Sequence, residues 1–249
     1  RPCRNLRASI FREWFCRSAK GESYRARFNT DREEEMRAFL AGLLLLPLLF
    51  SAHTPARPVS YTGGWTFIEE SDRQMSSALV HYTPAPSWSI GLRTEVNRES
   101  EYAVVSVHPT FLAKRWFDRD YQGNLYIHGG IGRASGIRGN TLGEETAMYG
   151  GIMADWETRS FFAGYRSRYL DAGHFGDQFM HAARLGFAPY EGDSGDLHTW
   201  LMLEIDHRPE DEDAVTATPL VRLFKGPLLL EMGYNLTVNQ PLLNFTYRF

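Results

Sequence analysis

Apolar and polar residues alternate at every second position along most of the chain from about residue 61 onward. In the segment 88–96 most even-numbered residues are apolar, whereas the odd-numbered ones include Arg93 and Glu95. In residues 243–249 the odd-numbered positions are all apolar or aromatic, and the even-numbered ones are polar. Because successive side chains of an extended chain point to opposite faces, this period predicts β-strands with one apolar and one polar face. No long segment shows the 3.6-residue period of a helix.

Turn-forming residues separate these alternating runs and define the predicted strands. Twelve strands are predicted, at about 61–69, 75–83, 87–96, 101–113, 121–133, 145–156, 160–170, 178–190, 197–207, 215–225, 227–235 and 241–249. Fusing or splitting one hairpin gives ten or fourteen. An even number of strands about nine to eleven residues long is typical of bacterial membrane barrels. The pattern therefore predicts an all-β protein, a transmembrane antiparallel up-and-down β-barrel over residues 61–249.

The connections of such a barrel alternate between its two sides. With both chain ends on the periplasmic side, the expected periplasmic connections are 84–86, 117–120, 157–159, 191–196 and 226–227. The expected outer connections are 70–74, 97–100, 134–144, 171–177, 208–214 and 236–240. The outer set is longer on average, as in known barrels. No connection is long enough for a substantial plug.

Charged residues of both signs fall on the face predicted to point inward. The expected lumen-lining set is Arg93, Glu95, Arg166, Arg168, Arg184, Glu204, Asp206, Arg222, Glu231 and Arg248. Unpaired charges away from water are costly, so these side chains should pair across the interior. The interior is either a sealed network of ion pairs or a narrow polar pore, and the sequence leaves both open.

Aromatic residues cluster near the predicted strand ends. The tryptophans of this group are Trp65, Trp88, Trp116, Trp156 and Trp200, and Tyr165, Tyr169 and Phe249 join them. Two aromatic girdles at the membrane interfaces would produce this placement. A soluble β-sandwich also puts aromatics on one face, and it is the alternative fold.

The pattern of the N-terminal region differs from that of the predicted barrel strands. Met36 and Arg37 are followed by an apolar run, residues 38–50, and then by small residues up to Ala52. This order is typical of a secretory signal peptide, and the apolar run is too short to span a membrane as a helix. We expect residues 36–52 to be a cleaved signal peptide, residues 53–60 a short periplasmic segment, and residues 1–35 a mistranslated upstream leader. A genuine N-terminal extension is the alternative for residues 1–35.

Charge and cysteine content narrow the functional classes. From His53 onward the chain has 17 Lys and Arg against 24 Asp and Glu, a formal charge of −7. No basic patch is present, so nucleic acid is not an expected partner. Both cysteines, Cys3 and Cys16, precede Met36, which leaves neither a disulfide framework nor a thiolate metal site in the barrel. No cofactor is predicted.

Histidines are the remaining candidates for a metal or catalytic site. His81, His108, His128 and His198 fall on the inward face without the tight spacing of a metal motif, so no metal site is predicted. The stretch Gly192-Asp-Ser-Gly-Asp196 resembles the nucleophile motif of trypsin-like proteases, but the histidine motif of that family is missing. An outer-membrane lipid hydrolase needs Ser and His on the lipid-facing side, and these four histidines do not supply it. The chain is not predicted to be an enzyme.

The terminal run Phe245-Thr-Tyr247-Arg-Phe249 resembles the closing strand of bacterial outer-membrane barrels. Residues 61–65, 154–159 and 195–200 are similar to segments of an uncharacterised family of proteobacterial outer-membrane proteins. The resemblance implies an outer-membrane location, with membrane lipid and the barrel-assembly machinery as partners. It also implies that Phe249, Tyr247 and Phe245 form the assembly signal. It carries no activity.

These observations together predict an outer-membrane barrel that acts as a small passive channel or solute-binding barrel, for a solute that the sequence does not name. A structural envelope barrel with a sealed, ion-paired lumen is the alternative, and a lipid hydrolase is a more distant one.

Overall fold

A computed structural model describes residues 59–193 and 195–249 of the chain. The predicted leader, the signal peptide and residues 53–58 lie outside the described residues. Within them the strands are β1 (Trp65–Ser71), β2 (Met75–Ala85), β3 (Trp88–Asn97), β4 (Tyr102–Phe117), β5 (Gln122–Gly136), β6 (Glu144–Glu157), β7 (Phe161–Asp171), β8 (Asp177–Phe187), β9 (His198–His207), β10 (Val215–Lys225), β11 (Leu228–Asn235) and β12 (Gln240–Arg248). A single turn of 3₁₀ helix, Gly173–Phe175, lies between β7 and β8.

Each strand pairs antiparallel with its neighbours in sequence, and β1 pairs with β12 to close the sheet. The closing seam places Thr66 opposite Arg248 and Ser71 opposite Leu243. Closure leaves no strand edge unpaired, which is how a sheet satisfies its backbone hydrogen bonds away from water. The predicted antiparallel barrel of twelve strands is therefore confirmed for the described part of the chain.

Several strand boundaries differ from the predicted ones by two to four residues, and two of these differences change a chain end or a connection. Residues 61–64 form a turn in which Gly64 N donates to the Tyr61 carbonyl, so β1 begins only at Trp65. The strand predicted to reach residue 190 ends at Phe187, and the connection 188–197 becomes the longest in the barrel. It lies on the side where short turns were expected.

The barrel has two ends, which we name by their connections. The loop end carries the connections 72–74, 98–101, 137–143, 172–176, 208–214 and 236–239. The turn end carries the connections 86–87, 118–121, 158–160, 188–197 and 226–227.

The outer surface is apolar and the interior is polar, the reverse of a soluble protein. Outward side chains such as Leu185, Ile131 and Ile152 are 67%, 57% and 43% exposed, whereas inward Glu95 is 2% exposed. This inversion distinguishes the barrel from a sandwich, whose apolar face is buried. No helix among the described residues is long and apolar enough to cross a membrane, an observation that does not bear on strands.

Aromatic side chains surround the turn end on the outer surface. Trp65 packs against Tyr82, Trp88 stacks on Phe111, and Tyr121 lies beside Trp156. The assignment of Trp200 to a girdle is wrong. Trp200 shares its face of β9 with Glu204, is 7% exposed, and packs edge-on against the inward Phe162.

Candidate functional site

Nine inward side chains from seven strands form a continuous series of alternating charges across the interior. We name this series the charge ladder, and its members in order are Arg168, Glu95, Arg93, Glu70, Arg166, Glu204, Arg184, Glu231 and Arg222. Alternation along each strand directs these side chains inward, and the closed sheet brings the strands within reach of one another. The ladder contains eight of the ten residues expected to line the lumen, with Glu70 as an addition.

The first part of the ladder crosses the lumen between β7 and β3, which are not neighbouring strands. Arg168 donates from Nη1 and Nη2 to the two carboxylate oxygens of Glu95, at 2.8 and 2.6 Å. Arg93 Nε lies 3.0 Å from the same carboxylate. The Arg168 guanidinium also rests on the ring of Tyr149, 4.3 Å from its centroid. This bidentate, stacked geometry braces two non-neighbouring parts of the barrel wall.

The last part of the ladder lies between β8, β9, β10 and β11. Arg184 bridges Glu204 at 2.6 Å and Glu231 at 2.8 Å. Arg222 Nε donates to Glu231 at 2.6 Å, and Asn244 Nδ2 donates to the other oxygen of that carboxylate at 2.7 Å. All the acceptor capacity of Glu231 is thus used, as a buried carboxylate requires.

The middle of the ladder is looser than its two ends. Glu70 lies 3.3 Å from Arg93 and 3.6 Å from Arg166, and Arg166 lies 3.4 Å from Glu204. The Glu70 side chain is 36% exposed, against 2% for Glu95. Glu70 is therefore the ladder carboxylate that a solute in the lumen can most easily reach.

A cavity of about 710 Å³ runs along the ladder. Its walls include Glu70, Arg93 and Arg166, and it extends to the connection 188–197 at the turn end through Tyr190 and Asp193. Side chains of both charges line the cavity. On the side formed by β7, β9 and β10 its wall is aromatic. The lining of that wall includes Phe162, Trp200 and Phe224.

All four candidate histidines line this cavity, and three of them, His81, His108 and His128, lie away from its turn end. His108 Nδ1 lies 2.5 Å from the Tyr149 hydroxyl, and the His108 and His128 ring centroids are 5.7 Å apart. His81 Nδ1 lies 2.9 Å from the Ser89 hydroxyl. The fourth, His198, stacks on Phe224 near the turn end with a centroid distance of 4.4 Å. No group of three or more His, Cys, Asp or Glu side chains is arranged to hold a metal ion within the described ranges.

The two other residues expected in the lumen lie outside the ladder, near opposite ends of the barrel. Asp206 forms an ion pair with Arg208 near the loop end, with 2.9 Å between Arg208 Nε and Asp206 Oδ1. Arg248 is 2% exposed and sits opposite Thr66 at the closing seam.

The residues proposed as the assembly signal lie on the outward face of β12. The Phe245 ring lies 6.3 Å from Phe67, and Tyr247 stacks on Phe249 at 5.8 Å. Phe249 also exchanges two backbone hydrogen bonds with Trp65, at 2.8 and 3.0 Å. The end of the chain is thus paired into the seam through its backbone.

Two histidines of the described strands, His181 and His207, face the outside, on the surface where a lipid hydrolase would need one. His181 stands opposite Ser167 on β7 and opposite His207 on β9. Its Nδ1 lies 2.6 Å from the hydroxyl of Tyr165, so the tyrosine rather than the serine holds the ring. The geometry does not assemble a serine nucleophile with its base.

Sequence reasoning missed Glu70, Asp72 and Arg208. Glu70 was placed in a connection because the first strand was predicted to end at residue 69. Its even number, shared with the inward Thr66, was the signal that could have identified it. Asp72 and Arg208 lie in connections, where the period of two gives no direction.

No known protein family and no curated protein matches the sequence. Among solved structures the barrel is similar to a KdgM porin in complex with disordered oligogalacturonate, with a TM-score of 0.43, 10% identity, and coverage of 75% of this chain and 98% of that one. It is also similar to OccK11 (OpdR) of Pseudomonas aeruginosa, with a TM-score of 0.38, 13% identity, and coverage of 82% and 75%. A loop-deletion mutant of OmpT, an outer membrane protein of Vibrio cholerae, gives a TM-score of 0.27 at 12% identity and covers 75% and 96%.

Proposed function

We propose that the chain is a bacterial outer-membrane barrel that binds small polar solutes in its lumen and passes them as a narrow channel. The observation that carries the proposal is the cavity of about 710 Å³ along the charge ladder of a closed barrel with an apolar exterior.

The exterior supports the membrane location. Its exposed apolar side chains would cost free energy in water, about 25 cal/mol for each Å² that lipid would otherwise cover. The aromatic side chains around the turn end suit an interface between hydrocarbon and water. A closed barrel is one of the two architectures that satisfy every backbone group in lipid.

The interior supports binding of a polar solute. Sites for small molecules typically occupy about 300–1,000 Å³, the range in which this cavity falls. Glu70 presents a partly exposed carboxylate beside the guanidinium groups of Arg93 and Arg166. His81 and His128 also line the cavity, and His81 Nε2 and His128 Nδ1 are buried without a hydrogen-bond partner within the described part of the chain.

Single-channel recording of refolded protein in a planar bilayer tests the proposal. We expect small, discrete conductance steps, and we expect Glu70→Ala to enlarge them because it shortens a side chain at the loosest point of the ladder. Arg133→Ala is the matched control, because Arg133 forms an exposed ion pair with Glu144 outside the lumen. Absence of conductance in wild type and in Glu70→Ala would contradict the channel.

One observation favours the sealed envelope barrel as a second candidate function. The Arg168–Glu95 pair spans the interior between non-neighbouring strands, and both side chains are at most 10% exposed. If such pairs close the lumen, wild-type protein will not conduct, and Glu95→Ala will create a conductance that wild type lacks.

A further inference from the structure

The loop end of the lumen is closed in two halves of different chemistry. On the β4–β7 side an apolar cluster fills the mouth. Its members are Tyr102, Val104, Ala134, Ala147, Tyr149, Leu170, Ala172 and Phe175. Phe175, from the 3₁₀ turn between β7 and β8, covers Tyr102 with a centroid distance of 5.3 Å. This half is held by burial and shape, which do not depend on charge.

The other half is closed by Arg208, the first residue after β9. Its side chain is 7% exposed and donates to Gln74 Oε1 at 2.7 Å and Asp72 Oδ2 at 2.6 Å. Its Nε lies 2.9 Å from Asp206. We name these four residues the mouth latch. Asp72 and Gln74 belong to the connection between β1 and β2, which β10, β11 and β12 separate from β9.

Further contacts hold the two connections of the latch in place. Arg73 pairs with Asp211, which adds a second ion pair between the two connections. Asp72 Oδ1 accepts from the backbone N–H groups of Gln74 and Met75 at 2.9 and 2.8 Å. Gln74 also donates to Glu99 of the next connection at 2.8 Å.

We propose that the mouth latch is a gate, in which the bonds of Arg208 to Asp72 and Gln74 hold the polar half of the loop end shut. The gate rests on the proposed channel for its use, although its opening can be measured without any ion flow. The Asp72 side chain is 26% exposed and also lines the cavity, so solvent and ions reach the latch. Because the latch consists of charged contacts and the apolar cluster does not, the polar half is the one that opens when charge is removed.

The two carboxylates of the latch keep Arg208 protonated, which favours the closed form. Burial would lower the pKa of the Arg208 guanidinium, but the carboxylates of Asp72 and Asp206 outweigh it and hold the pKa above its ordinary value. Arg208 therefore stays charged, and the state of the latch depends on its acidic partners.

The rate at which a buried cysteine reacts with a water-soluble maleimide measures opening. Ala182 is suitable, because it lines the cavity, is 3% exposed, and lies two residues along β8 from Met180, whose sulfur is 3.7 Å from Arg208 Nη2. The experiment uses the full chain with Cys3→Ser, Cys16→Ser and Ala182→Cys, refolded in detergent. In this background Arg208→Gln should react at least about tenfold faster, the ratio expected when one charge-assisted hydrogen bond is lost.

Two further variants serve as an alternative to Arg208→Gln and as a control. Asp72→Asn breaks the same latch but leaves Arg208 paired with Asp206. It can therefore test the gate if Arg208→Gln does not fold. Arg133→Gln removes the same charge from an exposed pair with Glu144 at the start of β6 and should leave the rate unchanged.

The outcomes separate the gate from the proposed channel. Faster labelling of both latch variants, with the Arg133→Gln control unchanged, supports the gate even if no variant conducts, and in that case only the channel fails. Equal labelling of the latch variants and wild type overturns the gate. Conduction that rises without faster labelling overturns it as well, because the mouth would then open elsewhere.

Discussion

Arg168 on β7 and Glu95 on β3 meet across the lumen through two hydrogen bonds of 2.8 and 2.6 Å. They are 73 residues apart in the chain and lie on strands separated by β4, β5 and β6. This pair joins two parts of the barrel wall that no backbone hydrogen bond of the sheet connects directly.

Breaking this pair should destabilise the barrel. Glu95→Gln leaves Arg168 buried without its full charge partner, and removing one member of a buried pair costs about 3–5 kcal/mol in soluble proteins. The free energy of unfolding of refolded protein in urea measures the loss. The double variant Glu95→Gln/Arg168→Gln should recover part of it, and Arg133→Gln should cost less than about 1 kcal/mol. Equal losses of unfolding free energy for the Glu95 and Arg133 variants would show that the Arg168–Glu95 pair does not stabilise the barrel.

Charge on the outer surface should block insertion if the barrel lies in a membrane. Ile152 faces outward and is 43% exposed, and Arg in the middle of a lipid-facing strand costs about 2–4 kcal/mol. We expect Ile152→Arg to lower the amount of heat-modifiable protein in the membrane fraction. Leu142→Arg, in the connection between β5 and β6, is the control and should be tolerated. Normal insertion of Ile152→Arg, or a protein soluble without detergent, would contradict the membrane location.

Gly130 makes room for Tyr149 inside the lumen. A side chain built at Gly130 collides with the Tyr149 ring, whose hydroxyl contacts His108 and whose face carries Arg168. Gly130→Ala should therefore cost about 1–3 kcal/mol, the usual range for overpacking. The matched control is Gly150→Ala, where a side chain would meet nothing within 4 Å. The near-ultraviolet circular dichroism and the urea midpoint should change for the first variant and not for the second.

The closing seam should depend on the backbone of Phe249. Phe249→Pro removes the N–H that bonds to the Trp65 carbonyl at 3.0 Å, whereas Phe249→Ala keeps it. If only the seam matters, the proline variant will assemble less well, by about 1 kcal/mol for one hydrogen bond, and the alanine variant will assemble normally. The proposed assembly signal of Phe249, Tyr247 and Phe245 predicts that the alanine variant is also poorly inserted. Membrane levels of both variants decide between the two.

The mouth latch should open with acid only at low pH. Burial raises the pKa of Asp72, but Arg208 and the N–H groups of Met75 and Gln74 outweigh it, so the pKa lies below its ordinary value. A carboxylate with a lowered pKa contributes stability above its ordinary pKa and loses it as pH falls through the lowered value. Conductance should therefore stay at its small neutral-pH value from pH 7 to about pH 4 and rise only below that.

The matched variant Asp72→Asn should lack this acid response, because its side chain does not titrate. It is needed because other charged groups face the latch from the surrounding connections and strands. They are Asp211, Glu99, Glu210, Arg73 and Arg98, and Asp206 is a second titratable group within the latch itself. An opening between pH 5 and pH 7 in wild type, or the same acid response in Asp72→Asn, would show that another of these groups controls the mouth.

The sequence by itself predicted about twelve strands, with ten or fourteen left open, and the face on which most strand side chains lie. Alternation is a local property of an extended chain, so Arg93 and Leu92 could be assigned to opposite faces without any knowledge of their neighbours. The same local rule located every arginine and glutamate of the charge ladder except Glu70, which falls in a predicted connection.

Only the tertiary structure decided which of these charges meet. Glu95 pairs with Arg168 rather than with a residue on a neighbouring strand because closure of the sheet brings β3 and β7 within reach of each other across a narrow lumen. Arg208 and Asp72 lie in connections, where no period sets direction, and they meet because both connections fold over the same mouth. A side chain's direction is local, but its partner depends on the curvature of the whole barrel, and no stretch of sequence contains that information.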